Sequence, residues 1–263
     1  MKFVLVTGAY GGMGKSAVNQ LLDNGYSVIA LDKTVGEKKE NLFPVQVDLT
    51  DEKSVQTAYQ KVKEITNDLY AIVHFAGIYA LNSLVEIDEE KFVRIFNVNL
   101  FGAYRVNKTF LPLLKDGSRI IITTSELAPL APLPFTGLYA VTKSALDKYA
   151  YSLRMEVQLL GIHVSVLRPG AVKTDMLGVS TRALDDFCDK SKLYSCNAKR
   201  FKGIVNSVEA KNVSPDKIAK VTLKAVNAKR PRFIYKINRN KLLLLLNILP
   251  QKLQTKIIKK ILK

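Results

Sequence analysis

Cysteine is scarce in this chain: Cys188 and Cys196 are the only two among 263 residues. Two thiols do not make a disulfide framework. Neither has a cysteine or histidine partner at metal-ligand spacing, so no metal site is expected and a reduced cytoplasmic setting fits. Long hydrophobic runs are also missing. The most apolar stretch, Leu242–Leu246 with Ile248 and Leu249, is too short to span about 30 Å of hydrocarbon. The opening run from Met1 to Gly8 is followed by no cleavage site and reads as a strand rather than a leader.

The third scarcity is acidic residues, and it is local. The formal net charge is +17, yet residues 1–189 hold 20 Lys and Arg against 21 Asp and Glu. Residues 190–263 hold another 20 basic residues with only Glu209 and Asp216, and from Lys229 onward there are 11 basic residues and no acidic one. The chain is a near-neutral body with a basic C-terminal quarter. No helix-turn-helix, zinc-finger or RNP pattern accompanies that charge, so nucleic acid is not an expected partner. With 48% hydrophobic and 24% charged residues, whole-chain disorder is excluded.

What is present is alternation. Apolar strands are expected at Phe3–Thr7, Ser27–Leu31, Pro44–Val47, Tyr70–Phe75, Ser118–Thr123 and His163–Leu167. Helices are expected over Met13–Leu22, Glu52–Ile65, Asp88–Leu114 and Leu138–Leu160. Continuously apolar strands between helices indicate a parallel sheet covered on both faces. The expected fold class is therefore α/β: a single Rossmann-type doubly wound parallel sheet of about seven strands with a basic helical C-terminal extension. The catalytic domain is expected over 1–237, with a substrate lid over about 178–207 and a tail over 238–263.

The first strand runs into Thr7-Gly8-Ala9-Tyr10-Gly11-Gly12-Met13-Gly14. Glycines there permit positive φ and close approach of the backbone to a pyrophosphate. The helix that follows directs free N–H groups at the same anion. Gly8, Tyr10, Gly12, Met13 and Gly14 are the expected cofactor contacts in this turn. Asp32 ends the second strand, where a carboxylate accepts hydrogen bonds from the adenosine ribose hydroxyls. It would repel a 2′-phosphate, which favours NAD over NADP, although Lys15 and Lys33 lie near enough to soften the effect.

Tyr139-Ala140-Val141-Thr142-Lys143 stands at the start of a long helix. Residues at i and i+4 share a helix face, so phenol and ammonium converge on one cleft. A cation near a phenol lowers its pKa and fits it for proton exchange with an alcohol or carbonyl oxygen. Ser125 closes the fifth strand, within reach of the same substrate oxygen.

Together, Thr-Gly-xxx-Gly-x-Gly, Asn97-Val98-Asn99-Leu100-Phe101-Gly102, Ser125, Tyr-xxx-Lys and Pro169-Gly170-Ala171-Val172-Lys173-Thr174 resemble the short-chain dehydrogenase/reductase family over about residues 3–176. The resemblance implies Tyr139 as general acid/base. Lys143 lowers its pKa and binds the nicotinamide ribose. Ser125 orients the substrate carbonyl, and Asn99 holds a water that links Lys143 to a proton relay. It also implies that Asp48 touches the adenine, with Leu49 among the cofactor contacts. Ala76 and Gly77 pass close to the cofactor. Pro169, Gly170 and Val172 meet the nicotinamide end, and Thr174 reaches the amide or pyrophosphate. A homodimer or tetramer is implied as well.

Two features depart from the family pattern. His74-Phe75-Ala76-Gly77 replaces the usual Asn-Asn-Ala-Gly, and His74 reads as a structural polar group. The Ser125-to-Tyr139 spacing is one residue long, which a single insertion in Leu127–Pro134 explains, with Thr124 as the fallback for Ser125. Leu177, Val179, Leu184, Phe187, Leu193, Tyr194 and Phe201 give the lid an apolar character. Leu130, Leu133, Phe135 and Leu138 face it across the approach. The expected substrate is a small lipophilic alcohol or ketone, and similarity to the hydroxysteroid and retinol dehydrogenase branch points the same way. Two other readings stand: a 3-oxoacyl-thioester reductase whose basic tail attracts its carrier, and a non-enzymatic dinucleotide sensor. On a helical wheel the residues after Pro250 form a basic amphipathic helix, suited either to a peripheral membrane contact or to docking on the body.

Overall fold

The structure, a computed structural model, describes residues 1–174, 184–209 and 211–263. Its strands are β1 (Phe3–Thr7), β2 (Ser27–Asp32), β3 (Leu42–Gln46), β4 (Leu69–His74), β5 (Leu114–Thr123), β6 (His163–Pro169) and β7 (Ile234–Ile237). They form one parallel sheet in the order β3-β2-β1-β4-β5-β6-β7. The chain builds outward from β1 to β3, then returns to lay β4 on the other side of β1. That reversal opens a crevice beyond the carboxyl ends of β1 and β4.

The helices are α1 (Gly12–Leu22), α2 (Glu52–Ile65), α3 (Glu89–Phe96), α4 (Gly102–Phe110), α5 (Gly137–Val157), a helix described over 184–190 (α6), α7 (Ser195–Glu209), α8 (Pro215–Asn227), α9 (Lys241–Ile248) and α10 (Gln251–Leu262). One face of the sheet is covered by α1 and α8, through Ala17, Val18, Leu21, Ile218 and Ala225. The other is covered by α2, α4 and α5, through Val55, Val62, Val106, Phe110 and Leu146. Central strand residues such as Val4–Val6, Ile72 and Ile120–Ile122 are fully buried, which is why these strands carry no alternation. Asp51 caps α2 by accepting from the amides of Lys53 and Ser54, and Ser214 caps α8 ahead of Pro215.

Three elements differ from the sequence expectation. The helix expected over Asp88–Leu114 is α3, a π-helical turn at Asn97–Phe101, α4 and a 3₁₀ turn, and Leu114 already begins β5. Pro112 ends the helical part, and the π turn sits where Asn99 bonds backbone outside its own helix. Strand β3 starts two residues early and holds Pro44 inside it, which an edge strand tolerates. β7, the other edge, is four residues long, too short for a run of its own to stand out in the sequence.

Candidate active site

Two joined depressions lie beyond the carboxyl ends of the strands. The larger, about 1110 Å³, follows the turn after β1 and the ends of β2, β3 and β4. The smaller, about 190 Å³, lies between the ends of β5 and β6 and the start of α5, with α7 and α9 forming its outer wall. Met13, Phe75, Gly77, Ile78 and Thr174 line both, so the two are continuous.

The larger cleft is shaped by backbone. Gly8 has φ +65°, and a Cβ there would lie 2.6 Å from the Ala76 nitrogen. A Cβ on Gly12 would lie 2.8 Å from the Thr174 side chain, and one on Gly14 would collide with the Gly8 carbonyl oxygen. Gly11 is different: the nearest atom to its Cβ would be 3.5 Å away. Helix α1 starts with no side-chain cap and no acidic residue in its first turn, so its free N–H groups are available at the cleft.

Asp32 lines this cleft. Its Oδ2 accepts from the Tyr10 amide at 3.0 Å and its Oδ1 from the Lys33 amide at 2.7 Å. Each oxygen keeps a further lone pair for a ligand hydroxyl. The Lys33 ammonium is 2.8 Å from Asp48 Oδ2. Burial alone would raise the Asp48 carboxyl, but hydrogen bonds from Lys33 and Thr50 outweigh it and hold the group at about 2. Asp48 and Leu49 line the same cleft, as do Tyr10, Ala76 and Gly77.

In the smaller cavity, Ser125, Tyr139 and Lys143 come together, with Pro169, Gly170 and Val172 opposite. Ser125 Oγ accepts from the Leu127 amide at 3.2 Å, and its hydroxyl is near enough to Tyr139 to offset part of the phenol's rise despite the long spacing between them. Two tight turns, Ala128 N–H to the Ser125 carbonyl and Leu130 N–H to that of Leu127, take up the extra length. Thr124 is engaged elsewhere: its hydroxyl lies 3.2 Å from Asp147 Oδ1 and 3.3 Å from the Leu167 carbonyl. The ring of Tyr79 meets that of Tyr139 edge-on at 4.6 Å.

Burial is the dominant electrostatic influence on the central pair. It pushes the Tyr139 phenol up to about 12, opposed only in part by Ser125, and brings the Lys143 ammonium down to about 8. Lys143 Nζ donates to the Thr123 carbonyl at 3.1 Å and stands 5.7 Å from the Tyr139 ring centroid. In this geometry burial raises the Tyr139 phenol and only Ser125 offsets it, so the lowering by Lys143 expected from the sequence is not seen here.

Asn99 is buried behind both depressions. Its Nδ2 donates to the Ile78 carbonyl and to Thr142 Oγ1, and its Oδ1 accepts from the Ile78 amide. A Cβ on Gly77 would lie 3.2 Å from Asn99 Oδ1 and 3.4 Å from Lys143 Nζ, so these two polar atoms flank one glycine. Val172 pairs with Val213 through the Ala171 carbonyl and the Lys173 amide. In a parallel bridge this directs the N–H and C=O of Val172 itself to the opposite side.

His74 is buried and neutral. Burial brings its imidazole down to about 4, while Nε2 bonds Asn107 Oδ1 at 2.8 Å and Asn107 Nδ2 donates to the Tyr149 hydroxyl.

Several contributors carry no sequence signal. Asp147 on α5 and Arg168 on β6 form a bidentate ion pair (2.9 and 2.6 Å) behind Ser125. The Glu126 carboxylate accepts from the Asn240 amide at 2.7 Å, Asn247 Oδ1 accepts from the Ala131 amide at 2.7 Å, and Leu243 lines the cavity. The segment after β7 is thus part of the site's wall.

Of the lid residues, Leu184, Phe187 and Phe201 are buried in a cluster with Leu81 and Leu262. Leu177 and Val179, and the start of the lid at 178, lie outside the described residues. Phe135, at φ +65°, packs its ring against Phe187, Tyr194 and Phe201. Leu138 is buried within α5, Leu193 is largely exposed, and of the four residues expected across the approach Leu133 lines the cavity. Among the described residues, no group of His, Cys, Asp and Glu is placed to hold a metal, and no helix is long and apolar enough to cross a membrane.

Comparison with known proteins adds the following. A family model described as short chain dehydrogenase matches residues 2–185. Estradiol 17-beta-dehydrogenase 2 of Mus musculus is 34% identical over 189 residues, covering 67% of this chain and 50% of that protein. NADPH-dependent 1-acyldihydroxyacetone phosphate reductase of Schizosaccharomyces pombe is 31% identical over 193 residues, covering 69% of this chain and 65% of that protein. The chain thus spans half to two thirds of the length of these relatives. The crystal structure of a short chain dehydrogenase family protein from Francisella tularensis superposes with TM-score 0.76 at 23% identity, covering 90% of this chain and 98% of that one.

Proposed function

The chain belongs to the short-chain dehydrogenase family, and from that membership we propose that it interconverts a lipophilic ketone and its secondary alcohol, with a nicotinamide dinucleotide as co-reactant. The observation that carries this is the convergence of Ser125, Tyr139 and Lys143 on a cavity continuous with the glycine-shaped cleft.

The cleft fits a dinucleotide. Its cradle has no room for a Cβ at Gly8, Gly12 or Gly14, and the uncapped start of α1 supplies N–H groups for a pyrophosphate. Asp32 is placed to accept from ribose hydroxyls. Lys33 is already paired with Asp48 rather than available to a 2′-phosphate, which supports NAD over NADP. Asp48 and Leu49 close the adenine end, and Val172 turns its own amide and carbonyl toward the nicotinamide end. When bound, the nicotinamide supplies or accepts the hydride.

Tyr139, with a phenol near 12, holds its proton at neutral pH and donates it to the ketone oxygen in reduction. Ser125 orients that oxygen. With Thr124 tied to Asp147, the role falls to Ser125. Lys143, buried and near 8, carries the positive charge beside the reacting groups at neutral pH. Asn99, saturated by Ile78 and Thr142, holds the strand-end backbone against Lys143.

Tyr79, Leu133, Ile204, Val205 and Leu243 give the cavity its apolar wall. The two relatives are named for estradiol and for 1-acyldihydroxyacetone phosphate, the one a steroid and the other an acylated ketone that also carries a phosphate. NADH and NADPH should be tested with steroid, acyl-ketone, 3-oxoacyl-thioester and small-ketone substrates on the wild-type protein and Tyr139→Phe. Turnover by the wild type that survives in Tyr139→Phe would sink the mechanism.

A further inference from the structure

We infer that α9 and α10 form a binding face for an anionic lipid bilayer. Helix α9 reads Lys-Leu-Leu-Leu-Leu-Leu-Asn-Ile, and the fold divides it into two apolar sides. Leu243 points inward to line the cavity, and Asn247 is anchored by the Ala131 amide. On the other side Leu242, Leu245 and Ile248, spaced three apart, are 70%, 59% and 78% exposed. A helix that only closed a fold would present polar residues there, and scattered single leucines would need no account; a continuous ridge does.

Docking on the body explains part of α10 but not all of it. Ile258 and Leu262 pack into the cluster with Phe187 and Phe201, and Asn197 on α7 donates to the Leu262 carbonyl at 2.6 Å. Leu253 and Ile261 lie on a second stripe, which remains exposed. At 100° per residue that stripe spans 0° to 80°, with Lys256 and Lys260 along its edge and Lys252, Lys259 and Lys263 beyond them, all exposed. Lysine stems that flank an apolar stripe reach outward to headgroups while their methylenes stay at the boundary.

Charge selects the occupant. From Lys229 onward the chain has 11 basic residues and no acidic one, which suits phosphatidylserine-type headgroups. A nucleic acid would use the lysines and leave the leucine ridge without a partner; a bilayer uses both. Because α9 turns one side to the cavity and the other outward, a membrane-dissolved ketone would be a single helix away from Tyr139. That last consequence rests on the proposed activity; lipid binding does not.

The test is co-sedimentation of the full chain with vesicles of phosphatidylcholine mixed with phosphatidylserine, against phosphatidylcholine alone. Surface substitutions are preferable to truncation, since Asn240, Leu243 and Asn247 brace the site. Each lysine near the surface contributes about fivefold in partitioning, so Lys256→Gln/Lys259→Gln/Lys260→Gln should lower binding to the mixed vesicles about a hundredfold. Leu245→Glu/Ile248→Glu should lower it at least as much, with the melting temperature of both variants unchanged. Three results would each overturn the inference. One is wild type that fails to pellet with the mixed vesicles. Another is variants that pellet like wild type. The third is a ridge variant that splits a self-associated species and leaves vesicle binding intact, which would make a second copy the occupant. The readout needs no turnover, so an inactive protein that still binds vesicles would count against the proposed reaction alone.

Discussion

The two halves of the site are built from different materials. The cleft along β1 and β2 is made of backbone: glycines with no room for a Cβ, an uncapped helix start, and a carboxylate held by two amides. The cavity beside it is made of side chains brought from far apart, with Glu126 meeting Asn240 and Ala131 meeting Asn247. Under the proposed activity, a dinucleotide of constant shape would meet a cradle with no room for a Cβ at three of its glycines. The ketone would meet loops held through long-range contacts, where change need not disturb the sheet.

Breaking one half should spare the other. The largest effect is expected from Tyr139→Phe, which should cut kcat about a thousandfold while dinucleotide binding, followed by fluorescence titration, persists. The converse is Gly14→Ala. Its Cβ collides with the Gly8 carbonyl, and calorimetry should show dinucleotide affinity down by about two orders of magnitude, an overpacking cost of about 1–3 kcal/mol. Gly11→Ala, three residues away with space around it, should bind like wild type. If both alanine variants behave alike, the cleft is not set by the clashes described.

Beneath both halves lies His74. The unfolded chain takes up a proton near 6.5 and the folded chain only near 4, so acid favours unfolding. Stability should fall as pH drops from 6.5 to 4, by about 3 kcal/mol at most. His74→Gln, which keeps an amide for Asn107, should flatten that part of a plot of melting temperature against pH. In the activity profile, kcat/KM for the dinucleotide should decline as pH rises through about 8, where free-enzyme Lys143 loses its charge. The smallest effect is expected for Glu126→Ala, which removes one hydrogen bond between the cavity and α9. Ketone KM should rise about fivefold, equivalent to about 1 kcal/mol, with the dinucleotide KM unchanged.

The cleft was legible in the sequence because its constraints are local. Gly8, Gly12 and Gly14 lie within seven residues, and Tyr139 and Lys143 share a face by helix periodicity alone. The cavity was not. Asp147 and Arg168 look like ordinary charges until the fold pairs them. Five consecutive leucines carry no period, so nothing in the sequence tells that Leu243 turns inward and Leu242 outward. The direction of the Tyr139 pKa was also out of reach. The sequence places a cation near a phenol, but how deeply both are enclosed depends on Phe75, Leu133 and α7, elements far apart along the chain.

The bond between Glu126 and the Asn240 amide has a temporal side. A ribosome makes these elements in chain order. The residues lining the dinucleotide cleft have all been made by Thr174, whereas the cavity needs Leu243, about seventy residues later. Yet α1, which follows the glycine turn, packs against α8 (Pro215–Asn227), so neither depression is complete until the C-terminal quarter has been made.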